Sequence, residues 1–166
     1  MDARGILNST AFFNVVLTPD QLDQLAASAR EVHFRRGDVL MRQRELGEKM
    51  YVLADGKVTV SVHEPGGEKT IATLAPGDVV GEMAVITGER RTATVKAKGK
   101  VTALEITKAD LGPLIAAEPN LAERFGSVIE QRHAELVSRN NEARRWLSVG
   151  VGRDQIAAQM MAFYSG

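Results

Sequence analysis

The stretch MYVLADGKVTVSVHEPGGEKTIATL, residues 50–74, carries the clearest signal for the fold. Valines at alternate positions over residues 58–62 lie on one face of a β-strand, which would be a core or a pocket wall. The pairs Asp55-Gly56 and Gly66-Gly67 tolerate the positive φ angles that tight hairpin turns demand. The stretch therefore predicts short strands joined by tight turns.

The same texture extends over residues 31–107. Glycines recur there every nine to eleven residues, the spacing expected of short antiparallel strands in a barrel or sandwich. The β-rich runs between them cover residues 39–43, 50–53, 58–62, 70–74, 92–97 and 101–106. The pattern predicts an antiparallel, jelly-roll-like β-roll and not a βαβ fold.

Helical signals precede the β-rich segment. Thr18 is an N-cap, Pro19 occupies the first helical position and Gln21 closes a capping box. Residues 11–16 concentrate apolar side chains in a segment too short for a stable isolated helix, so they should dock onto the main body. We expect a short helix over residues 18–29.

Helical signals also follow the β-rich segment. Thr107 with Asp110 is a second cap, and Pro119 starts a further helix. Gly150-Val151-Gly152 interrupts the pattern. A last short helix carries an apolar stripe, for which core packing and contact with a partner or a second copy both stay open: Ile156, Met160, Phe163 and Tyr164. The predicted fold class is α+β, a β-roll flanked by N-terminal and C-terminal helices.

The chain has the size of one domain with some additional helix. Its 166 residues and 44% hydrophobic content suffice for a single core. We expect one domain over residues 1–145, made of an N-terminal helical segment (1–30), the β-roll (31–107) and C-terminal helices (108–145). Residues 146–166 form a helical tail of unknown role.

Composition argues against several classes of function. Lys and Arg number 21, and so do Asp and Glu, so the global positive charge of a nucleic acid-binding chain is missing. The absence of cysteine excludes disulfides and thiolate metal sites and fits an intracellular setting. No signal peptide or sufficiently long apolar run occurs, so we expect a soluble, cytoplasmic chain.

No catalytic or metal-binding constellation stands out. His33, His63 and His133 are widely separated and form no His-x-His pair, so a metal site of the cupin kind lacks its ligands. No nucleophile elbow or pair of carboxylates at a suggestive spacing occurs. We therefore expect neither a bound metal nor an enzymatic activity.

Residues 76–95, PGDVVGEMAVITGERRTATV, indicate an anion-binding site. Gly81 permits close approach of the backbone, and the residues after it can form one helical turn whose free N–H groups face an anion. An arginine from the next strand would add charge and a fork of donors. No P-loop motif occurs, so a monoanionic phosphate suits this cradle better than ATP.

These residues resemble a known family. Gly81-Glu82-Met83-Ala84 followed by Arg91-Thr92-Ala93 closely resembles the phosphate-binding cassette of cyclic nucleotide-binding domains. Flanking motifs such as Pro76-Gly77-Asp78 agree, and the resemblance extends over residues 10–137, with the pattern closest to bacterial cyclic nucleotide-regulated channels. In two departures, Val79-Val80 replace a common aromatic residue and Arg90 replaces a common proline.

The resemblance implies a ligand, cAMP or cGMP, and a role for each site residue. Arg91 would bind the cyclic phosphate, and Glu82 would accept a hydrogen bond from the ribose 2′-hydroxyl. Thr92 would bond the amino group of guanine, so both nucleotides should bind. Backbone groups would complete the cradle at Gly81, Met83, Ala84 and Ala93.

Arg132 is the remaining candidate, on the helix after Pro119. By resemblance to bacterial channel domains, it would stack over the purine as a lid. The alternative is an exposed helix charge that pairs with Glu130 or Glu135.

By the same resemblance, the chain would be a regulatory module with an effector domain in cis, such as a membrane channel at whose cytoplasmic face it lies. Its C-terminal lid helix would move on binding. Homo-oligomerisation through the terminal helices stays open. One alternative is the sensor domain of a CRP-like transcription regulator without its DNA-binding domain, since only about thirty residues follow Leu136. Another is a scaffold with a vestigial pocket.

Overall fold

The computed structural model of the chain describes residues 2–139 and 152–165. Its helices are α1 (Ala3–Asn8), α2 (Ala11–Asn14), α3 (Pro19–Ser28), α4 (Glu82–Ile86), α5 (Lys108–Ala117), α6 (Leu121–Arg139) and α7 (Arg153–Ser165). Its strands are β1 (Arg30–Phe34), β2 (Val39–Met41), β3 (Lys49–Asp55), β4 (Val58–Glu64), β5 (Gly67–Leu74), β6 (Val79–Val80), β7 (Thr94–Ala97) and β8 (Val101–Thr107). Within the described ranges, no helix is both long and apolar enough to cross a membrane.

The strands form two four-stranded sheets, in the orders β1-β8-β3-β6 and β2-β7-β4-β5. Every pairing is antiparallel. The alternating valines of β4 all lie on the inner face, because Val58 and Val60 are 0% exposed and Val62 is 5% exposed. The predicted β-roll with flanking helices is therefore confirmed.

Two strands were absent from the predicted runs. β1 has the sequence REVHF and is nowhere fully buried. Its charged residues therefore interrupt the run of apolar residues by which the other strands were predicted. β6 has only two residues, Val79 and Val80, and pairs with Val52 and Tyr51 of β3. A strand that short has no periodicity from which it could be recognised.

The two predicted glycine turns differ in what they connect. Gly66 and Gly67 close the hairpin between β4 and β5, and both have positive φ angles. Asp55-Gly56 is not a hairpin turn, because the strands on either side of it, β3 and β4, belong to different sheets. The turn instead carries the chain from one sheet to the other, and a Cβ at Gly56 would overlap the Lys100 carbonyl.

The predicted caps at Thr18 and Thr107 are confirmed as full capping boxes at α3 and α5. α3 begins at Pro19, as expected, whereas α6 begins at Leu121, two residues after the predicted start at Pro119. The predicted domain boundary at residue 145 and most of the Gly150-Val151-Gly152 break lie outside the described residues.

Hydrophobic side chains cover both faces of the sheet that contains β3. Met50 and Val52 join a helical core, the buried cluster that also contains Phe13 and Phe125. Tyr51 and Leu53 join the roll core, the buried cluster between the two sheets. This division follows from the two-residue period of a strand. Burial of each large side chain contributes about 2 kcal/mol.

The last two helices close the helical core. Ile129 of α6 and Ile156 and Met160 of α7 are 0% exposed there. Farther along α6, Leu136 and Val137 belong to the roll core instead. Core packing is therefore observed for Ile156 and Met160 of the α7 stripe, and contact with a partner or a second copy stays a prediction. α6 therefore contributes to both cores.

Candidate functional site

A cavity opens between α4 and the segment that leads into β7. It is partly open to solvent. Its lining includes all of the predicted site residues except Arg132: Gly81, Glu82, Met83, Ala84, Arg91, Thr92 and Ala93. Met41, Val80, Arg90 and Val95 also line it. We call it the α4 cavity.

Gly81 forms the corner between β6 and α4. Its φ of 79° lies in the left-handed region, where a residue with a Cβ is disfavoured. A Cβ there would also lie 2.5 Å from Arg91 Nη1 and 2.7 Å from Met41 Cε. Glycine is thus required both for the turn into α4 and for the close approach of the Arg91 side chain.

Both the side chain and the backbone of Arg91 are hydrogen-bonded. Its Nη1 donates to the Gly81 carbonyl at 3.2 Å. Its backbone is bonded to the loop between β2 and β3, since Arg91 N donates to Glu45 O at 2.9 Å and Arg44 N donates to Arg91 O at 2.7 Å. A Cβ on Gly47 would lie only 2.7 Å from Nη2. Two glycines therefore leave the space that the guanidinium occupies.

The charge of Arg91 has no carboxylate counter-ion within ion-pair distance in the described part of the chain. The residue is 8% exposed, and this burial lowers the pKa of its guanidinium, with Tyr51, Glu82 and Glu45 opposing the effect from farther away. A buried charge without a partner is costly. The α4 cavity therefore offers a fixed, largely desolvated cation that an anion would compensate.

Glu82 is 4% exposed, but its charge is compensated. Arg132 Nη1 donates to Glu82 Oε1 at 2.7 Å, and Arg132 Nη2 donates to the Val79 carbonyl at 2.6 Å. His133 Nε2 lies 3.7 Å from the same Oε1, which is too far for a hydrogen bond. Burial alone would raise the pKa of Glu82, but Arg132, followed by His133, outweighs burial and lowers that pKa to about 2.

Arg132 is placed differently from the other candidates. It does not line the α4 cavity, and its side chain, 14% exposed, reaches the buried carboxylate of Glu82 instead. The alternative of an exposed charge paired with Glu130 or Glu135 is not the arrangement observed, because the Arg132 guanidinium bonds Glu82 and the Val79 carbonyl. Stacking on a purine stays a prediction.

Three groups that contribute to the site were not predicted from the sequence. Gly47 belongs to the regular glycine series, and nothing in that series distinguished it as the neighbour of Arg91. The Val79 carbonyl, a ligand of Arg132, has no sequence signature. His133 is 4% exposed with an unpartnered Nε2, although as a lone histidine on a helix it resembled a structural residue.

A family model described as a cyclic nucleotide-binding domain matches residues 31–118. The chain is 33% identical over 122 residues to a cyclic nucleotide-gated potassium channel of Mesorhizobium japonicum, covering 74% of this chain and 33% of the channel. It is 28% identical over 120 residues to the cyclic AMP receptor protein of Thermus thermophilus, covering 72% of this chain and 56% of that protein. The alignments thus span about a third and about half of these two relatives.

A solved structure is also similar: the N-terminal domain of a transcriptional regulator from Streptomyces coelicolor. The TM-score is 0.67 at 29% identity, and the match covers 81% of this chain and 94% of that chain. Relatives of both the channel type and the regulator type are therefore present.

Proposed function

The chain belongs to the cyclic nucleotide-binding domain family, and on that basis we propose that the α4 cavity binds cAMP or cGMP and that binding regulates an attached effector. The observation that supports this most is the Arg91 guanidinium, buried beside the cavity without a carboxylate partner among the described residues. A desolvated cation of this kind favours an anionic ligand. A cyclic phosphate carries one negative charge, which matches one arginine.

In this proposal Arg91 binds the phosphate, and Glu82 accepts from the ribose 2′-hydroxyl. Glu82 already bonds Arg132 through Oε1, and an ionised carboxylate has further acceptor positions. Thr92 is exposed at the cavity, where its hydroxyl would meet an amino group of guanine. Backbone groups of the remaining cavity residues would complete the cradle: Gly81, Met83, Ala84 and Ala93.

We further propose that α6 responds to the nucleotide. Arg132 ties α6 to Glu82, one of the residues that would contact the ligand. If Arg132 stacks on the purine, it must exchange one partner for another, because its guanidinium now bonds Glu82 and Val79. Two positions of α6 with different nucleotide affinity would provide the switch.

The effector would be a domain in cis, and a membrane channel is the first candidate. The potassium channel of Mesorhizobium japonicum shares 33% identity with the chain.

In the second candidate, the chain is the sensor domain of a CRP-like transcription regulator. The likeness to the Streptomyces coelicolor regulator domain, which the match covers to 94%, favours this second host. Both hosts use the same nucleotide site.

Calorimetric titration of the purified chain with cAMP and with cGMP tests the proposed site, with 5′-AMP as the control. We expect one site per chain for each cyclic nucleotide and much weaker binding of 5′-AMP, whose phosphate carries more charge and no ring. We also expect the nucleotide to be recovered intact. An absence of binding would overturn the ligand assignment, and release of AMP or GMP would overturn the non-enzymatic role.

A further inference from the structure

α7 lies outside residues 31–118, the range that matches the family model, yet it contacts the helix that lines the cavity. Ile156 and Met160 are fully buried in the helical core, in the same cluster as Val85 and Ile86 of α4. Glu130 of α6 accepts a hydrogen bond from Arg153 N at the start of α7. α7 is thus fixed to α6 at its start and shares a core cluster with α4.

Tyr164 makes a direct hydrogen bond to α4. Its hydroxyl donates to the Val85 carbonyl at 2.9 Å. α4 has only five residues, and the last carbonyls of a helix find no partner within it. Tyr164 therefore supplies from α7 a donor that α4 itself cannot supply.

The neighbours of Tyr164 restrict where its ring can go. Lys108 Nζ lies 5.4 Å from the Tyr164 ring centroid and 3.9 Å from that of Phe163, within the range of a cation–π contact. Phe163 packs against the loop after α4, where a Cβ on Gly88 would lie 2.8 Å from its ring. Burial, with Glu48 adding to it, raises the pKa of the Tyr164 phenol, so the hydroxyl remains a donor.

The two sides of α4 therefore have different neighbours. Glu82, Met83 and Ala84 line the α4 cavity, whereas Val85 is 0% exposed and meets Tyr164 through its carbonyl. In a helix of five residues a tilt at one end moves the other end as well. A contact that fixes the Val85 carbonyl thus also fixes the backbone groups that face the cavity.

We propose that Tyr164 is a positioning residue for nucleotide binding, which holds α4 in its cavity-lining orientation through the Val85 carbonyl. This inference rests on the proposed function of the α4 cavity. If the held orientation is the binding-competent one, releasing it lowers the competent fraction, and the apparent Kd rises in proportion. Coupling is reciprocal, so bound nucleotide must also tighten the attachment of α7.

Tyr164→Phe is the test, because it keeps the ring and the Lys108 contact and removes only the donor. We expect the Kd for cAMP to rise about three- to tenfold, the range that one net hydrogen bond can account for. Met161→Ala, at a 40% exposed position of the same helix, is the matched control and should leave the Kd unchanged. Saturating cAMP should also slow amide exchange over residues 153–165 of the wild type.

Amide exchange of the nucleotide-free proteins separates this inference from the proposed function. We expect residues 82–87 to exchange faster in Tyr164→Phe than in the wild type or in Met161→Ala. A wild-type Kd in Tyr164→Phe overturns the inference, even if the melting temperature falls, since a merely structural contact would lower only stability. Unchanged exchange at residues 82–87 also overturns it. If the wild type binds neither cAMP nor cGMP, the proposed function fails, and the exchange data still report whether Tyr164 holds α4.

Discussion

Arg132 and Glu82 form a buried ion pair that joins α6 to α4. The Nη1–Oε1 distance is 2.7 Å, and the two side chains are 14% and 5% exposed. Because both charges are largely withdrawn from water, each depends on the other for compensation. The pair therefore joins α6 directly to a residue that lines the α4 cavity.

Removing Arg132 should destabilise the fold more than removing an exposed arginine from the same helix. Arg132→Ala leaves the Glu82 charge buried, with an expected cost of about 3 to 5 kcal/mol in the free energy of unfolding. Arg124→Ala, which breaks a surface pair with Glu118 at 3.3 Å, should cost at most about 1 kcal/mol. Denaturant titration measures both, and adding Glu82→Gln to Arg132→Ala should recover part of the loss. Equal losses for the two arginines would contradict the pairing.

Replacing Arg91 should abolish most nucleotide binding. In Arg91→Ala the desolvated phosphate loses the charge that matches it, and we expect the binding free energy to weaken by about 3 kcal/mol or more. The adjacent Arg90 is exposed and donates to the Arg44 carbonyl, so Arg90→Ala is a control with a smaller loss. Calorimetry with cAMP compares them. If Arg91→Ala bound cAMP as tightly as the wild type, the assignment of Arg91 as the phosphate-binding residue would be wrong.

Glu82→Gln should weaken binding less than Arg91→Ala does. The amide oxygen of glutamine can still accept from a ribose hydroxyl, so we expect a loss of about 1 kcal/mol. The same titration with cAMP measures it. A loss as large as that of Arg91→Ala would mean that Glu82 serves another purpose in the site.

Acid should destabilise the protein through Glu82. The pKa of this carboxyl falls from 4.5 to about 2 on folding, so the unfolded chain takes up a proton that the folded chain does not. The resulting stability is complete above pH 4.5 and is lost as the pH falls towards 2. Melting temperatures between pH 6 and pH 3 should therefore fall more steeply for the wild type than for Glu82→Gln. Parallel slopes would assign the acid sensitivity to other carboxyls.

The lid proposal predicts where amide exchange changes on binding. Phe125 and Ile129 of α6 pack in the helical core, while Leu136 and Val137 pack in the roll core, so a shift of α6 disturbs contacts on both sides. Saturating nucleotide should change exchange most between residues 120 and 137. Equal exchange there with and without nucleotide would exclude a moving lid, although the site could still bind.

The sequence predicts local features of this fold well because their causes are local. A capping box needs only Thr18 and Gln21, and alternation along β4 needs only neighbouring valines. The turn at Asp55-Gly56 shows the limit: positive φ is a local requirement, but whether the next strand pairs with the previous one depends on the whole sheet. The cassette residues could be identified by resemblance because they form two short motifs close together in the sequence, and the turn at Gly81 starts the helix that carries the first of them.

The contacts that the sequence did not indicate join distant segments. Gly47 borders Arg91 across more than forty residues, and Arg132 reaches Glu82 across fifty. Arg132 could be selected as a candidate only by resemblance, and neither helix periodicity nor its acidic neighbours indicated a buried carboxylate as partner. The sequence pattern placed Tyr164 in an apolar stripe only. The hydrogen bond from its hydroxyl to the Val85 carbonyl could not be predicted, because it depends on where α4 ends.

The sheet of β1, β8, β3 and β6 works as a partition within the domain. Met50 and Val52 on one side pack in the helical core, while Tyr51 and Leu53 on the other side pack in the roll core. A change in the packing of the helical core is thus separated by a whole sheet from the roll core. α6 contributes to both cores, with Phe125 in one and Leu136 in the other, so a change in one core can act on the other through that helix.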